Sequence, residues 1–148
     1  MIQAIDHINI VVSDLSQARD FFIQFGFEEV SSSKLSGEKL SLVTGLANMD
    51  AEYIALAISG THTKVELIQY FQPQGGRDPL LNKPNQLGFR HIAFTVKDIE
   101  EEVAKLKQNG VRLESEIQVW EKTGKKLLYF YGPDDIILEF CEYPEKQK

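Results

Sequence analysis

Two histidines and two glutamates lie inside apolar segments of this chain, one of each in either half. They are His7, Glu66, His91 and Glu139. Their neighbours are mainly β-branched and other apolar residues, which are typical of strands. A carboxylate is costly to bury without a partner, whereas imidazole and carboxylate together are ligands for divalent transition metals. The four residues therefore predict a metal site.

The same order of signals occurs twice along the chain. His7 and His91 are 84 residues apart (91 − 7), and the helix-starting residues Asp14 and Asp98 are separated by the same number (98 − 14). A shared offset across a strand and a helix start indicates an internal duplication. Each half then closes on a strand that contains one glutamate, so the two halves predict equivalent pairs of ligands.

Periodicity and turn residues predict an α+β fold made of two tandem β-α-β-β-β modules, residues 3–71 and 88–143, joined by a linker at 72–87. Both belong to one domain covering residues 1–148. The elements predicted in the first module are strands at 3–12, 36–44, 51–59 and 64–71 and a helix from Asp14 to Gly26. Those in the second are strands at 89–96, 111–119, 126–131 and 135–142 and a helix from Asp98 to Gly110.

Side-chain alternation places the ligands on the more polar face of each strand. The opposite, apolar face is the one that a helix would cover, so curved mixed sheets would present the ligands in a cleft. Asn9 and Thr95 share the ligand-bearing faces and are predicted to contact substrate, and Arg77 in the linker could hold a substrate carboxylate. Lys64 is the one lysine predicted on those faces. The lysines around Thr123 predict a solvated hairpin turn, with phosphate binding toward a coenzyme A-like substrate as the alternative; they are Lys122, Lys125 and Lys126.

Two neutral imidazoles and two carboxylates cancel the charge of a divalent ion. Nitrogen and oxygen ligands suit Zn, Ni, Co, Mn or Fe better than Mg or Ca. Four protein ligands leave two positions of a six-coordinate ion for substrate oxygens, so the metal would polarise a carbonyl and stabilise an enolate. Glu66 or Glu139 would serve as both ligand and proton acceptor.

Composition narrows the class of protein. The chain has 148 residues, a net charge of −6 and one cysteine, Cys141. The negative charge argues against nucleic acid and anionic membranes as partners. No apolar stretch is long enough to span a membrane, no secretory leader is expected, and a single cysteine fits the cytoplasm. We expect a small-molecule substrate and a homodimer, and the sequence leaves open whether the modules pair within one chain or between two.

Several motifs resemble the vicinal oxygen chelate superfamily, which includes glyoxalase I, methylmalonyl-CoA epimerase, antibiotic-resistance proteins and extradiol dioxygenases. The motifs are residues 6–8, the helix start at 14–15, residues 66–67, 88–96 and the closing segment 130–140. The resemblance covers residues 3–143 and implies a glyoxalase-like fold with His7, Glu66, His91 and Glu139 at the four metal-ligand positions. Two departures are Asp135, where glycine is usual, and residues 68–70, which differ from the run that follows this glutamate in glyoxalase I.

Three functions are compatible with these residues. A metal-dependent lyase or isomerase of the glyoxalase type would transfer a C–H proton through an enolate. An iron-dependent extradiol-type dioxygenase would require no ligand at the position of Glu66. A non-catalytic protein that binds a small molecule such as an antibiotic would not require the full ligand set, so the four ligands favour the first hypothesis.

Overall fold

A computed structural model of the chain describes residues 1–145 and divides the chain into two compact units. The first unit is Met1–Arg77 and the second begins at Asp78. Each unit contains one four-stranded mixed sheet and its own helices. The predicted α+β fold with two similar modules is therefore confirmed. The single domain over residues 1–148 stays a prediction, and residues 146–148 lie outside the described part.

The sheet of the first unit contains one parallel pair of strands and two antiparallel pairs. Its elements are β1 (His7–Val11), α1 (Leu15–Ile23), β2 (Glu28–Ser36), α2 (Glu38–Thr44), β3 (Asp50–Ala57) and β4 (Lys64–Gln72). The strand order is β1-β4-β3-β2, with β1 parallel to β4 and the other neighbours antiparallel.

Helix α1 begins at the predicted cap. The Asp14 side chain accepts a hydrogen bond from the backbone N–H of Gln17 at 2.8 Å, which satisfies a donor of the first turn. The apolar side of the helix buries Leu15, Ala18 and Phe22. Burial of these side chains against the sheet supplies the main stabilisation, because a helix of this length is marginal alone.

The prediction of a strand at residues 36–44 is wrong, because most of this segment forms α2, Glu38–Thr44. Gly37 and Gly45, with φ of 100° and 72°, bound the helix in conformations that favour glycine. Leu40 packs against a small buried cluster that includes Met49 and Ile68. The real strand is β2, whose residues are exposed almost throughout, so it carries no apolar alternation to reveal it.

The second unit repeats the sheet topology of the first. Its elements are β5 (His91–Thr95), α3 (Ile99–Gln108), β6 (Gln118–Trp120), β7 (Lys125–Tyr131) and β8 (Ile137–Glu142), with a 3₁₀ turn at Pro133–Asp135. The strand order is β5-β8-β7-β6, and β5 is parallel to β8. This order matches that of the first sheet strand for strand.

Helix α3 is capped by Asp98, whose side chain accepts from the backbone N–H of Glu101 at 2.9 Å. It buries Ile99, Val103 and Leu106. The strand predicted at residues 111–119 is wrong in extent, because only Gln118–Trp120 forms β6 and Leu113 makes an isolated bridge. Among the helices within residues 1–145, none is long and apolar enough to cross a membrane.

Candidate functional site

The two units place a histidine and a glutamate in the same register. In the first sheet, Glu66 on β4 is the register partner of Asn9 on β1. Asn9 lies two residues after His7. In the second sheet Glu139 on β8 is the partner of Ala93 on β5, again two residues after the histidine. Residues two apart in a strand share a face, so each histidine and its glutamate lie on the same face of their sheet. The predicted alternation is confirmed within each unit.

His7 is oriented by the residue before it. Its Nδ1 lies 2.8 Å from Oδ2 of Asp6, and this hydrogen bond holds the pKa of the Asp6 carboxyl below its usual value. An imidazole that donates from Nδ1 presents the lone pair of Nε2. Metal-binding histidines are commonly fixed by a carboxylate in this way. The side chain of His7 is 43% exposed, so a ligand can reach it from solvent.

Glu66 is held by the amide of Asn9. The Asn9 Nδ2 donates to Oε1 of Glu66 at 3.2 Å, across the parallel strand pair. A neutral amide fixes the direction of the carboxylate without cancelling its charge. Asn9 therefore positions Glu66. Its predicted contact with substrate stays a prediction.

Glu139 is buried and has both carboxylate oxygens in polar contact. It is 4% exposed, and its Oε2 lies 3.1 Å from Nε2 of His91. Its Oε1 lies 3.1 Å from Nζ of Lys125. A buried carboxylate needs such partners, because desolvation of an unpaired charge costs several kcal/mol, on the order of the stability of a domain.

The sequence predicts Lys125 in a solvated turn or as a phosphate-binding residue, but not as a partner of Glu139. Lys125 begins β7 and its side chain is only 23% exposed. The hydrogen bond to Glu139 raises the pKa of Lys125, so the lysine is cationic at neutral pH. The prediction that Lys64 is the one lysine on the ligand-bearing faces is therefore wrong. Side-chain alternation along β7 shows that Lys125 shares the face of Glu139 only once the register between β7 and β8 is known.

Tyr129 is a residue that the sequence did not single out. It is the partner of Glu139 across the antiparallel pair of β7 and β8. Its ring centroid lies 5.0 Å from that of His91 at an interplanar angle of 43°. In the first unit the residue opposite Glu66 is Ala55, which has no ring. The surroundings of the two glutamates therefore differ although their backbone positions match.

The other predicted substrate residues occupy different surroundings. Thr95 ends β5 on the face of His91, and its Oγ1 lies 3.8 Å from Sγ of the buried Cys141. Arg77 is exposed, five residues beyond the end of β4. Contact of either residue with a substrate stays a prediction.

The residue types of both pairs suit a divalent transition metal, and in the second unit the donor atoms also lie at a suitable distance. His91 Nε2 and Glu139 Oε2 are 3.1 Å apart, which is about the separation of neighbouring ligand atoms around such an ion. Asp6 and Asn9 supply outer contacts that orient His7 and Glu66. Imidazole nitrogen and carboxylate oxygen suit zinc, manganese, iron, cobalt and nickel alike.

Comparison with known proteins adds a family and a fold. Residues 6–129 match the family described as the Glyoxalase/Bleomycin resistance protein/Dioxygenase superfamily. The crystal structure of a glyoxalase family protein from Bacillus cereus is similar, with 29% identity and a TM-score of 0.89. The match covers 97% of this chain and 95% of that protein.

Two further comparisons concern proteins with stated activities. A 2-epi-5-epi-valiolone epimerase from Actinomyces sp. is 27% identical over 148 residues, covering 95% of this chain and 80% of that protein. The fosfomycin resistance protein FosX from Listeria monocytogenes shares the fold, with a TM-score of 0.60 and 23% identity. That match covers 99% of this chain and 97% of that protein, a point mutant of which was solved with Mn(II) and 1S,2S-dihydroxypropylphosphonic acid.

Proposed function

Because the chain belongs to the glyoxalase/bleomycin resistance protein/dioxygenase superfamily, we propose that it is a metal-dependent isomerase or lyase that moves a C–H proton through an enolate. The proposed metal ligands are His7, Glu66, His91 and Glu139. The substrate is a small molecule with a carbonyl next to the acidic C–H bond.

The main support for this proposal is that a histidine and a glutamate have the same relative positions in both sheets. In both sheets, a glutamate is the register partner of the residue that lies two positions after a histidine. A structural role for one such pair would not require its repetition in the other unit. The FosX complex with Mn(II), which shares this fold, and the relative named as an epimerase support the proposal.

When bound, a divalent metal would polarise the substrate carbonyl and lower the pKa of the neighbouring C–H bond. Asp6 would keep Nε2 of His7 directed at the ion. Asn9 and Lys125 would restrain Glu66 and Glu139 through Oε1, which leaves the second oxygen of each carboxylate for the ion or for a proton.

Of the two glutamates, we assign the proton acceptor to Glu66. Its oxygen contacts the neutral amide of Asn9, so its negative charge is not cancelled by its partner. Glu139 is buried, and its contact with the Lys125 ammonium restrains it, which suits the role of a rigid metal ligand. The acid–base role of Glu139 is the alternative.

The first experiment measures metal. Protein expressed without metal supplementation is analysed by inductively coupled plasma mass spectrometry, for the wild type and for His91→Ala. We expect a transition metal in the wild type and loss of most of it in the variant. His62→Ala is the matched control, because His62 is exposed between β3 and β4, and it should retain the metal. Equal metal content in all three proteins would contradict the proposed ligands.

The second experiment measures proton transfer. Small 2-hydroxy ketones and 2-oxo acids are incubated in D₂O with metal-loaded protein, and exchange at the acidic carbon is followed by NMR. Glu66→Gln should reduce exchange by about 10²–10⁴, the usual contribution of general acid–base catalysis. Glu139→Gln should weaken metal binding more than Glu66→Gln. Tight binding of a compound without exchange would favour a sequestering protein over an enzyme.

We propose a homodimer as the working assembly, and mixing two variants tests which chain supplies each ligand. His7→Ala and His91→Ala proteins are mixed after partial unfolding and then refolded together. If one ion takes His7 and His91 from different chains, part of the mixed dimers regains an intact site and binds metal. If both ligands come from one chain, mixing restores no metal. Sedimentation analysis of the wild type tests the dimer itself.

A further inference from the structure

We propose that Lys125 sets the charge class of the substrate, so that the metal-loaded protein selects ligands that carry one negative charge. This inference rests on the proposed metal site and concerns a residue that the ligand set does not include. The chemical class is a small carboxylate or another monoanion with an adjacent oxygen.

The charge count of the proposed site is the first step. Two glutamates and two neutral histidines cancel the two positive charges of the ion. Lys125 then adds one positive charge, with its Nζ 3.1 Å from Oε1 of the buried Glu139. The side chain of Lys125 is 23% exposed, so water screens this charge only in part. A ligand with one negative charge would restore neutrality.

The position of Lys125 on its strand is the second step. Leu127 is the register partner of Cys141 and Tyr129 that of Glu139, so Lys125, two residues before Leu127, shares the face of Glu139. Its neighbour Lys126 is on the other face, where it contacts Glu100 at 2.8 Å and Glu142 at 3.1 Å. The two adjacent lysines therefore lie on opposite faces of the sheet, and Lys125 is the one on the face of Glu139.

The bond between Lys125 and Glu139 is compatible with metal binding. Lys125 contacts Oε1, whereas Oε2 is the oxygen directed at Nε2 of His91. A metal on Oε2 leaves the lysine contact in place. Coordination would also withdraw electron density from the carboxylate, which leaves more of the ammonium charge for a substrate anion.

The test compares an anion with its neutral isostere in cobalt-loaded protein. Glycolate and glycolamide have the same size and the same vicinal oxygens, but only glycolate is charged. Binding is followed by the visible absorption of Co(II), which needs no turnover. We expect the wild type to bind glycolate more tightly than glycolamide, and Lys125→Met to reduce that preference by about tenfold, as expected for the loss of a nearby, partly desolvated charge.

Lys126→Met is the matched control, because it removes the same charge from the opposite face and should leave the preference unchanged. Lys125→Arg retains the charge and should retain the preference. The cobalt content of each variant separates the two proposals. A wild type that takes up no cobalt would overturn both, whereas cobalt uptake with equal preference in the wild type and Lys125→Met would overturn the role of Lys125 alone. An equal loss in Lys126→Met would also overturn it.

Discussion

Asn9 lies opposite Glu66 in the parallel pair of β1 and β4 and donates to its carboxylate at 3.2 Å, whereas the matching position opposite Glu139 is Ala93. The two halves therefore share the placement of their glutamates but not the group that fixes them. Outer contacts of this kind orient a ligand before the metal arrives.

Replacing Asn9 with alanine should weaken metal binding without removing a ligand. Outer partners of metal ligands typically contribute about 10–100-fold to affinity. The affinity is measured by competition with a chromophoric chelator. Asn85→Ala provides a control, since Asn85 lies in the segment between β4 and β5. An affinity equal to that of the wild type would show that Glu66 needs no help from Asn9.

Replacing Lys125 with methionine should change how stability depends on alkaline pH. The hydrogen bond to Glu139 raises the pKa of Lys125 in the folded protein above its usual value. Its contribution to stability is therefore complete below the unfolded pKa and is lost as the pH rises through the folded value. We expect the free energy of unfolding of the metal-free protein, measured with urea, to fall less in the variant than in the wild type between about pH 8 and pH 11.5. Lys122→Met, in the adjacent turn, is the control, and parallel curves for all proteins would refute the expectation.

Replacing Gly132 with alanine should destabilise the second unit. A Cβ at this position would lie 2.7 Å from Cδ1 of Leu138 and 3.1 Å from Cγ1 of Ile136. Leu138 is 1% exposed, so its side chain has little room to move. Overpacking of this kind costs about 1–3 kcal/mol. Gly75→Ala, where no atom lies within 4 Å of the new Cβ, should change the unfolding free energy by less than about 0.5 kcal/mol.

Asp135 occupies a left-handed backbone conformation, with φ of 66°, at the place where glycine is usual in the family signature. Its side chain compensates in part, because Oδ1 accepts from Arg112 at 2.9 Å in an exposed ion pair. Asp135→Gly loses this pair but removes the strain, whereas Asp135→Ala loses the pair and keeps the strain. Thermal unfolding should therefore show the glycine variant to be more stable than the alanine variant by about 1 kcal/mol. The opposite order would mean that the backbone is unstrained.

Local signals were sufficient for the elements that carry the four proposed ligands. Capping aspartates before α1 and α3 and the alternation around His7 and His91 depend only on neighbours in sequence, and all of them are confirmed within their units. The face of the sheet on which a proposed ligand lies follows from the alternation of side chains along its own strand.

Long-range and polar features were not predictable in the same way. Strand β2 is exposed along nearly all of its nine residues, so it presents neither an apolar face nor an alternating pattern. Helix α2 has only seven residues, which is too short for a reliable period. The contact of Lys125 with Glu139 depends on the register of β7 against β8, and that register depends on the 3₁₀ turn between them.

The difference between the partner of Glu66 and the partner of Glu139 bears on how such a chain can evolve. A single module that assembled with a copy of itself would carry every substitution twice, because both copies come from one gene. Two modules in one chain can keep the same histidine and glutamate while each acquires its own neighbours. Here the partner of one carboxylate is an amide and the partner of the other is an ammonium. Selection on one half can thus adjust ligand affinity or substrate charge while the other half is left unchanged.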